Sequence, residues 1–194
     1  MSDATQVMDL RKMTGAGVMD AKKALEEAGG DIEKAVTLLK ERGAIKAAKR
    51  EGRETSEGVV VSYIHHTKKL GSLVELQCET DFVARNEEFQ ALANDIAMQV
   101  AAIDPLYLSQ DAVPTNEFEK QRDIFKAEME GENKSDDIKE KIIEGKLQKW
   151  YSDVCLMQQP FFKDEDMTIE QMIQQCIAKT GENVAVARFA RFSM

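Results

Sequence analysis

The chain has 194 residues, 43% of them hydrophobic and 31% charged, with a net charge of -9, enough to bury one sizeable core or to divide into two domains. No apolar run is long enough to span a bilayer, and the acidic excess repels phosphate backbones over most of the surface, which sets membrane insertion and general nucleic-acid binding aside. The three cysteines, Cys78, Cys155 and Cys176, are odd in number, widely spaced and set in apolar patterns rather than CxxC pairs, so buried thiols in a reducing compartment are expected in place of disulfides or metal ligands.

The N-terminal MSDATQVMDL is polar and acidic at Asp3. It lacks the apolar core of a signal peptide and the Arg-rich character of a transit peptide, and the cytoplasm is the expected location. Three short helical patterns then follow between glycines. Thr5 can cap a helix carrying Val7, Leu10 and Met13; Gly15-Ala16-Gly17 breaks it; Val18, Ala21 and Leu25 recur at helical spacing until Gly29-Gly30; and Asp31 can cap a third helix with Ile32, Ala35, Val36 and Leu39 inside. Val18 and Met19 either pack inward or present an apolar patch at the start of the second helix, and so small a unit has few places to hide large side chains. Lys40, Arg42, Lys46, Lys49, Arg50 and Arg53, opposed only by Glu41 and Glu51, make a basic connector, read as a solvated linker or a local binding patch.

After the linker, the β-branched run Gly58 to His65 and the alternating run Leu70 to Cys78 predict an antiparallel hairpin turning through Thr67-Lys68-Lys69. His65 and His66 are adjacent on a strand and so face opposite ways, with no cluster of ligand spacing beside them, which argues against a metal site. Leu73 to Cys78 runs without Gly or Pro into a helical pattern whose stripe is Phe89, Leu92, Ile96 and Val100. The helix is expected to open at Phe82 and to stop before Asp104-Pro105. Thr80 or Asp81 can cap it, and Asp81 suits the positive end of its dipole. Phe82 then sits in a first turn, either filling a corner of the core or standing beside a carboxylate at an exposed tip that can enter a partner.

Phe118, Ile124 or Phe125, and Met129 answer Ile138, Ile142 and Leu147 across the turn-rich GENKS of residues 131–135, predicting an antiparallel helical hairpin over about 115–155. Trp150, Tyr151, Val154 and Leu156 carry its second arm toward the core. A capped helix from Thr168 to Lys179 and an alternating run from Asn183 to Ser193 close the chain, the latter as a third strand.

Several of these stretches resemble one family. CETDFVARN, residues 78–86, resembles the signature of elongation factor Ts, the nucleotide-exchange factor of the translational GTPase elongation factor Tu. LRKMTGAGVMDAKKALEEAGGDIEKAV, residues 10–36, GAIKAAKREGR, residues 43–53, the hairpin SYIHHTKKLGSLVELQ before the signature, EGKLQKW and the QPF triplet resemble it too, with residues 104–134 weakest. The three-helix unit is similar to the ubiquitin-associated fold. The expected organisation is therefore α+β: a three-helix domain over 1–44, a basic linker over 45–56, and a core over 57–194 with a three-stranded antiparallel sheet packed by helices. Longer family members carry two sheet units and this chain supplies one, which implies the short class and a homodimer built from the core; the other possibility is a monomer whose helical hairpin folds over the open face.

No P-loop, GxSxG elbow, HExxH helix or CxxC site is present, and Glu87-Glu88 are adjacent rather than convergent. No catalytic residue, cofactor or metal of the chain's own is expected. The resemblance implies that GDP, GTP and Mg²⁺ belong to the partner GTPase, elongation factor Tu. Asp81 and Phe82 would form a wedge beside its Mg²⁺ and phosphate site, set by Thr80 and Val83, with Arg85 and Asn86 as further contacts, while Arg11, Met13, Val18 and Met19 of the first unit would dock on it. A different class, a noncatalytic adaptor using the three-helix unit as a ubiquitin-type module, would have no need of the hairpin and the CETDFVARN corner.

Overall fold

The structure, a computed structural model, describes residues 4–194; the first three, including the acidic Asp3, lie outside them. Three helices come first, α1 (Ala4–Thr14), α2 (Val18–Glu27) and α3 (Ile32–Ala48). They are followed by β1 (Glu57–Ile64), β2 (Leu70–Cys78), α4 (Asp81–Ala84), α5 (Glu87–Ile103), α6 (Thr115–Glu128), α7 (Asp136–Val154), β3 (Pro160–Phe161), β4 (Asp164–Thr168), α8 (Ile169–Thr180) and β5 (Val184–Ser193). The class is α+β.

Val7, Leu10, Ala21, Ala24, Leu25 and Ala35 make the small core of the first three helices. α1 is already helical at Ala4, so Thr5 lies in its first turn and the cap position falls outside the described residues. Gly15, at φ +66, carries the chain from α1 toward α2 in a conformation that costs glycine little. The Asp31 carboxylate accepts the Lys34 amide at 3.1 Å and caps α3 as its sequence suggested.

α3 does not stop at the expected domain boundary, residue 44. It runs on to Ala48, through the residues read as the start of a linker, and Ala47 joins the main core. Gly43 weakens a helix interior by propensity, yet here it faces α8, where an added methyl would meet Ala178 at 3.8 Å. The tertiary contact overrides the local preference. Three of the connector's basic side chains are paired: Arg42 with Glu27, Lys46 with Asp20 at 3.0 Å and Arg53 with Glu79 at 3.4 Å.

The main sheet has the order β1-β2-β5, antiparallel throughout, with β2 in the centre. Alternation gives it two faces. Val74, Leu76 and Cys78 of β2 and Val184 and Val186 of β5 point inward onto Phe89, Leu92, Ile96 and Val100 of α5 and onto Ile169, Ile173 and Ile177 of α8. The Ser72 hydroxyl donates to the Ala97 carbonyl at 2.6 Å and pins the sheet to α5. Pairing shifts between Glu75, opposite Arg188, and Leu76, opposite Val186, so Ala187 is an extra residue on β5, and this bulge resets which side chains of β5 face outward.

The outer face carries three cross-strand rows: Val60, Glu75 and Arg188; Ser62, Leu73 and Ala190; Ile64, Gly71 and Phe192. Val60, Ile64, Leu73 and Phe192 are exposed. The helical hairpin α6–α7 does not cover them. It closes on itself through Arg122 with Glu140, Lys146 with Glu128 and the stacked rings of Phe118 and Tyr151, while Ile143 and Leu147 are its buried residues and Ile124 and Ile138 stay exposed. A β3–β4 hairpin, not anticipated, follows α7. Its Pro160 carbonyl and Phe162 amide are both held by the buried Gln99 of α5, at 3.1 and 3.0 Å. Among the described residues no helix is long and apolar enough to cross a membrane.

Candidate partner-binding site

The β-ladder ends where Cys78 pairs with Glu57 on one side and Val184 on the other. Beyond it two carboxylates take over from backbone pairing. The Asn183 amide donates to a Glu79 oxygen at 2.6 Å; on the neighbouring residues, the Thr80 amide donates to Glu182 Oε2 at 3.0 Å and the Thr80 hydroxyl to Glu182 Oε1 at 2.6 Å. The Asn183 side chain reaches on to the Arg53 carbonyl at 2.9 Å, and the Cys78 thiol donates to the Thr80 carbonyl at 3.2 Å. The Asn183 amide foremost, with Arg53 adding to it, holds the Glu79 carboxyl below the usual carboxylate range. The corner is thus fixed from three directions.

Thr80 occupies the N-cap position of α4 with extended backbone, φ -130 and ψ 156, but its side chain makes no capping bond. Its hydroxyl has turned to Glu182 instead. Asp81 is the first residue of α4 rather than a cap and pairs with Arg85 at 3.0 Å. Val83 packs on the main core and Ala84 is buried, so one side of the turn is anchored. Phe82 points the other way and is 83% exposed. It does not fill a corner of the core.

The helix expected to run unbroken from Phe82 is interrupted. Its amides close only one turn, Ala84 onto Thr80, Arg85 onto Asp81 and Asn86 onto Val83, before Asn86 opens α5 by accepting the Glu88 amide at 2.8 Å. An asparagine side chain that satisfies a free amide offers the backbone this alternative to continuing the helix, and Glu87 and Glu88 complement the new N-terminus. Asn86 therefore has a structural role at the base of the tip, where Gln90 also holds the Ala84 carbonyl at 3.3 Å. Arg85 is exposed.

In the first unit, Met13, Val18 and Met19 are exposed, as is Met8, so the outward reading of Val18 and Met19 holds. Arg11 is half-buried and donates to the Ala16 carbonyl at 3.3 Å, holding the Gly15 loop. That loop sits against α8, where a Cβ on Gly15 would lie 2.1 Å from Cε of Lys179, whose ammonium reaches Glu88 at 3.3 Å.

His65 and His66 lie just past the end of β1, so they do not face opposite ways as two strand residues would; their rings are tilted at 49° with centroids 4.1 Å apart, and His65 shares a hydrogen bond with Thr67. Among the described residues no group of three or more His, Cys, Asp or Glu side chains is placed to hold a metal ion. Cys78, Cys155 and Cys176 are buried free thiols, each pushed up to about 11 by burial.

Glu79 and Glu182 were not singled out in the sequence. Their signal was long-range: pairing Cys78 with Val184 sets residues 79–80 opposite 182–183, and only the register of β5 on β2 reveals it.

The chain matches the family model described as "Elongation factor TS" over residues 4–194. It is 55% identical over 189 residues to the elongation factor Ts of Leptospira biflexa serovar Patoc, strain Patoc 1 / Ames, an alignment that takes in 97% of this chain and 96% of that one. The same values hold for the elongation factor Ts of the strain Patoc 1 / ATCC 23582 / Paris.

Proposed function

The chain belongs to the elongation factor Ts family, and is thereby a translation elongation factor; from that premise we propose that it acts in the cytoplasm as a guanine-nucleotide exchange factor, releasing GDP from elongation factor Tu. The observation that carries this reading is the exposure of Phe82 on a turn anchored from behind by Val83, Ala84 and the carboxylates of Glu79 and Glu182. A ring that contributes nothing to the core can be buried in a partner without breaking the fold. Fully burying such a side chain is worth roughly 1.5–3 kcal/mol. If that energy is gained only in the state from which GDP escapes, release accelerates about ten- to a hundredfold, since each 1.4 kcal/mol is about tenfold.

Asp81 and Phe82 enter beside the partner's Mg²⁺ and phosphate site in this reading, with Thr80 and Val83 setting the tip and Arg85 reaching out beside it. Binding energy spent on loosening GDP must be reciprocal: GDP weakens the exchange factor's hold by the same factor. Nucleotide and metal belong to the partner, and the chain contributes no small-molecule chemistry of its own. The exposed Met13, Val18 and Met19 provide the second contact, on a unit whose Arg11 shapes the neighbouring loop.

We also propose a homodimer joined through the outer face of the main sheet. Val60, Ile64, Leu73 and Phe192 lie on one side of three strands, and both β1 and β5 are edges. An apolar patch of this kind favours a second copy in a closed two-fold arrangement.

Exchange is tested by mixing. Labelled GDP on purified elongation factor Tu is released faster when this protein is added, and release at the spontaneous rate would reject the reading in favour of an adaptor.

A further inference from the structure

We propose that Glu182 is the positioning residue of the tip: its carboxylate holds Thr80 by both amide and hydroxyl, and so aims α4 and Phe82. The inference rests on the exchange reading above and goes beyond it by naming a residue outside the signature, 102 positions from Thr80 in the chain.

Three observations carry it. First, Thr80 occupies the cap position yet makes no side-chain bond to α4; both its hydrogens go to Glu182. Each carboxylate oxygen takes one of them, which fixes rotation about the Thr80 side chain and the direction of the backbone entering the turn. Second, α4 has only four residues and one turn of amide bonds, too short to hold its own direction. Third, Glu182 is itself fixed. Gly181, at φ +76, ends α8 with its amide on the Ile177 carbonyl, the Glu182 amide donates to the Thr180 hydroxyl at 3.3 Å, and the next residue is held by Glu79. The α8–β5 turn is therefore a fixed support on which the tip leans.

The role is distinct from general support of the fold, because Glu182 is half-buried at the rim of the sheet and belongs to neither hydrophobic core. Removing it leaves Val83 and Ala84 in place and frees the turn that carries Phe82.

The test compares wild type, Glu182→Ala, Glu182→Gln, Thr80→Val and the Glu182→Ala/Thr80→Val pair. Two readings are taken from the full chain: amide hydrogen exchange at residues 84–86, and GDP release from elongation factor Tu over a range of exchange-factor concentrations. In Glu182→Ala, exchange at residues 84–86 speeds up and the plateau rate of GDP release falls on the order of tenfold, the scale set by a lost charge-assisted hydrogen bond. Glu182→Gln, which keeps an acceptor for the Thr80 hydroxyl, retains an intermediate plateau. The double variant is no slower than Glu182→Ala alone, because both changes remove one interaction. A variant that is merely partly unfolded would shift the half-saturating concentration and leave the plateau unchanged. Unchanged amide exchange in Glu182→Ala overturns the inference, as does a wild-type plateau in both Glu182 variants or full additivity with Thr80→Val. If wild type itself fails to accelerate release, the exchange reading falls and takes this role with it; if wild type accelerates release and the Glu182 variants match it, this inference alone falls.

Discussion

Asn183 donates its amide to the Glu79 carboxylate at 2.6 Å, joining the start of β5 to the end of β2 across 104 residues of chain. The bond lies one step beyond the last ladder pair, Cys78 with Val184. A side chain thereby extends the sheet past the end of backbone pairing, and the tip starts from the residue that follows.

The same bond sets a pH dependence. The Asn183 amide, aided by Arg53, holds the Glu79 carboxyl below its ordinary value in the folded chain. A group lowered on folding contributes stability that is complete above the ordinary carboxylate range and is lost as pH falls through the folded value. Glu79→Gln is expected to lower thermal stability at neutral pH and to flatten the acid side of the stability profile. Glu75 beside Arg188, Glu27 beside Arg42 and Asp31 over the Lys34 amide are held low as well, so the flattening is partial. Thermal unfolding followed from pH 7 to pH 3 measures it, and a parallel displacement of the two curves would remove Glu79 from the acid limb.

The buried thiols give a second prediction. Burial raises Cys78, Cys155 and Cys176 to about 11, which cuts the thiolate population at pH 8 about a hundredfold below that of a free thiol. Native protein is expected to resist a thiol-reactive chromophore and to release three equivalents on unfolding in guanidinium, matching the three free cysteines. On the alkaline side the unfolded chain loses these protons first, so stability falls as pH rises from the ordinary thiol value toward about 11. Rapid labelling of a native thiol would contradict the packing of its site.

The first unit's contact is open to a charge substitution. Met19 is 63% exposed, so Met19→Asp spares the small core of α1–α3. It is expected to weaken binding to elongation factor Tu by about tenfold, the size of an ordinary interface anchor, while leaving the rate at saturating exchange factor near wild type. Titration calorimetry beside GDP release separates the two, and unchanged affinity would show that this surface faces another partner.

For the dimer, Phe192→Glu places a carboxylate opposite Gly71 on the open face of the sheet. Light scattering is expected to give twice the chain mass for wild type and the single-chain mass for the variant. A variant that keeps twice the chain mass would move the interface away from this face, and a single-chain mass for wild type would reject the homodimer.

Much of this architecture was legible locally. A β-branched run placed β1, alternation placed β2 and β5, and helical spacing placed the Phe89, Leu92, Ile96 and Val100 stripe that the sheet buries. What escaped the sequence depends on distant partners. The basic run read as a linker from residue 45 suggested an end to α3, but the packing of Gly43 against Ala178 carries the helix to Ala48. The break at Asn86 turns on one side-chain bond to Glu88 that competes with an otherwise continuous helical pattern. β4, Asp164–Thr168, has no alternation to read and is tied in through Gln99 and its neighbours in the β3 turn. At the candidate site, the exposed Phe82 was foreseen as one of two possibilities, whereas the clamp from Glu182 is invisible until β5 is placed beside β2.

In the proposed mechanism Phe82 drives exchange from a tip that the fold holds ready. Its most direct test is the plateau rate of labelled GDP release from elongation factor Tu with wild type and with Phe82→Ala, thermal unfolding being followed on both proteins. The expected result for Phe82→Ala is an unfolding midpoint within experimental error of wild type, because the ring is 83% exposed, and a plateau lowered by about 30-fold, the scale of an aromatic anchor worth about 2 kcal/mol. A well-folded Phe82→Ala protein that releases GDP at the wild-type plateau would contradict it.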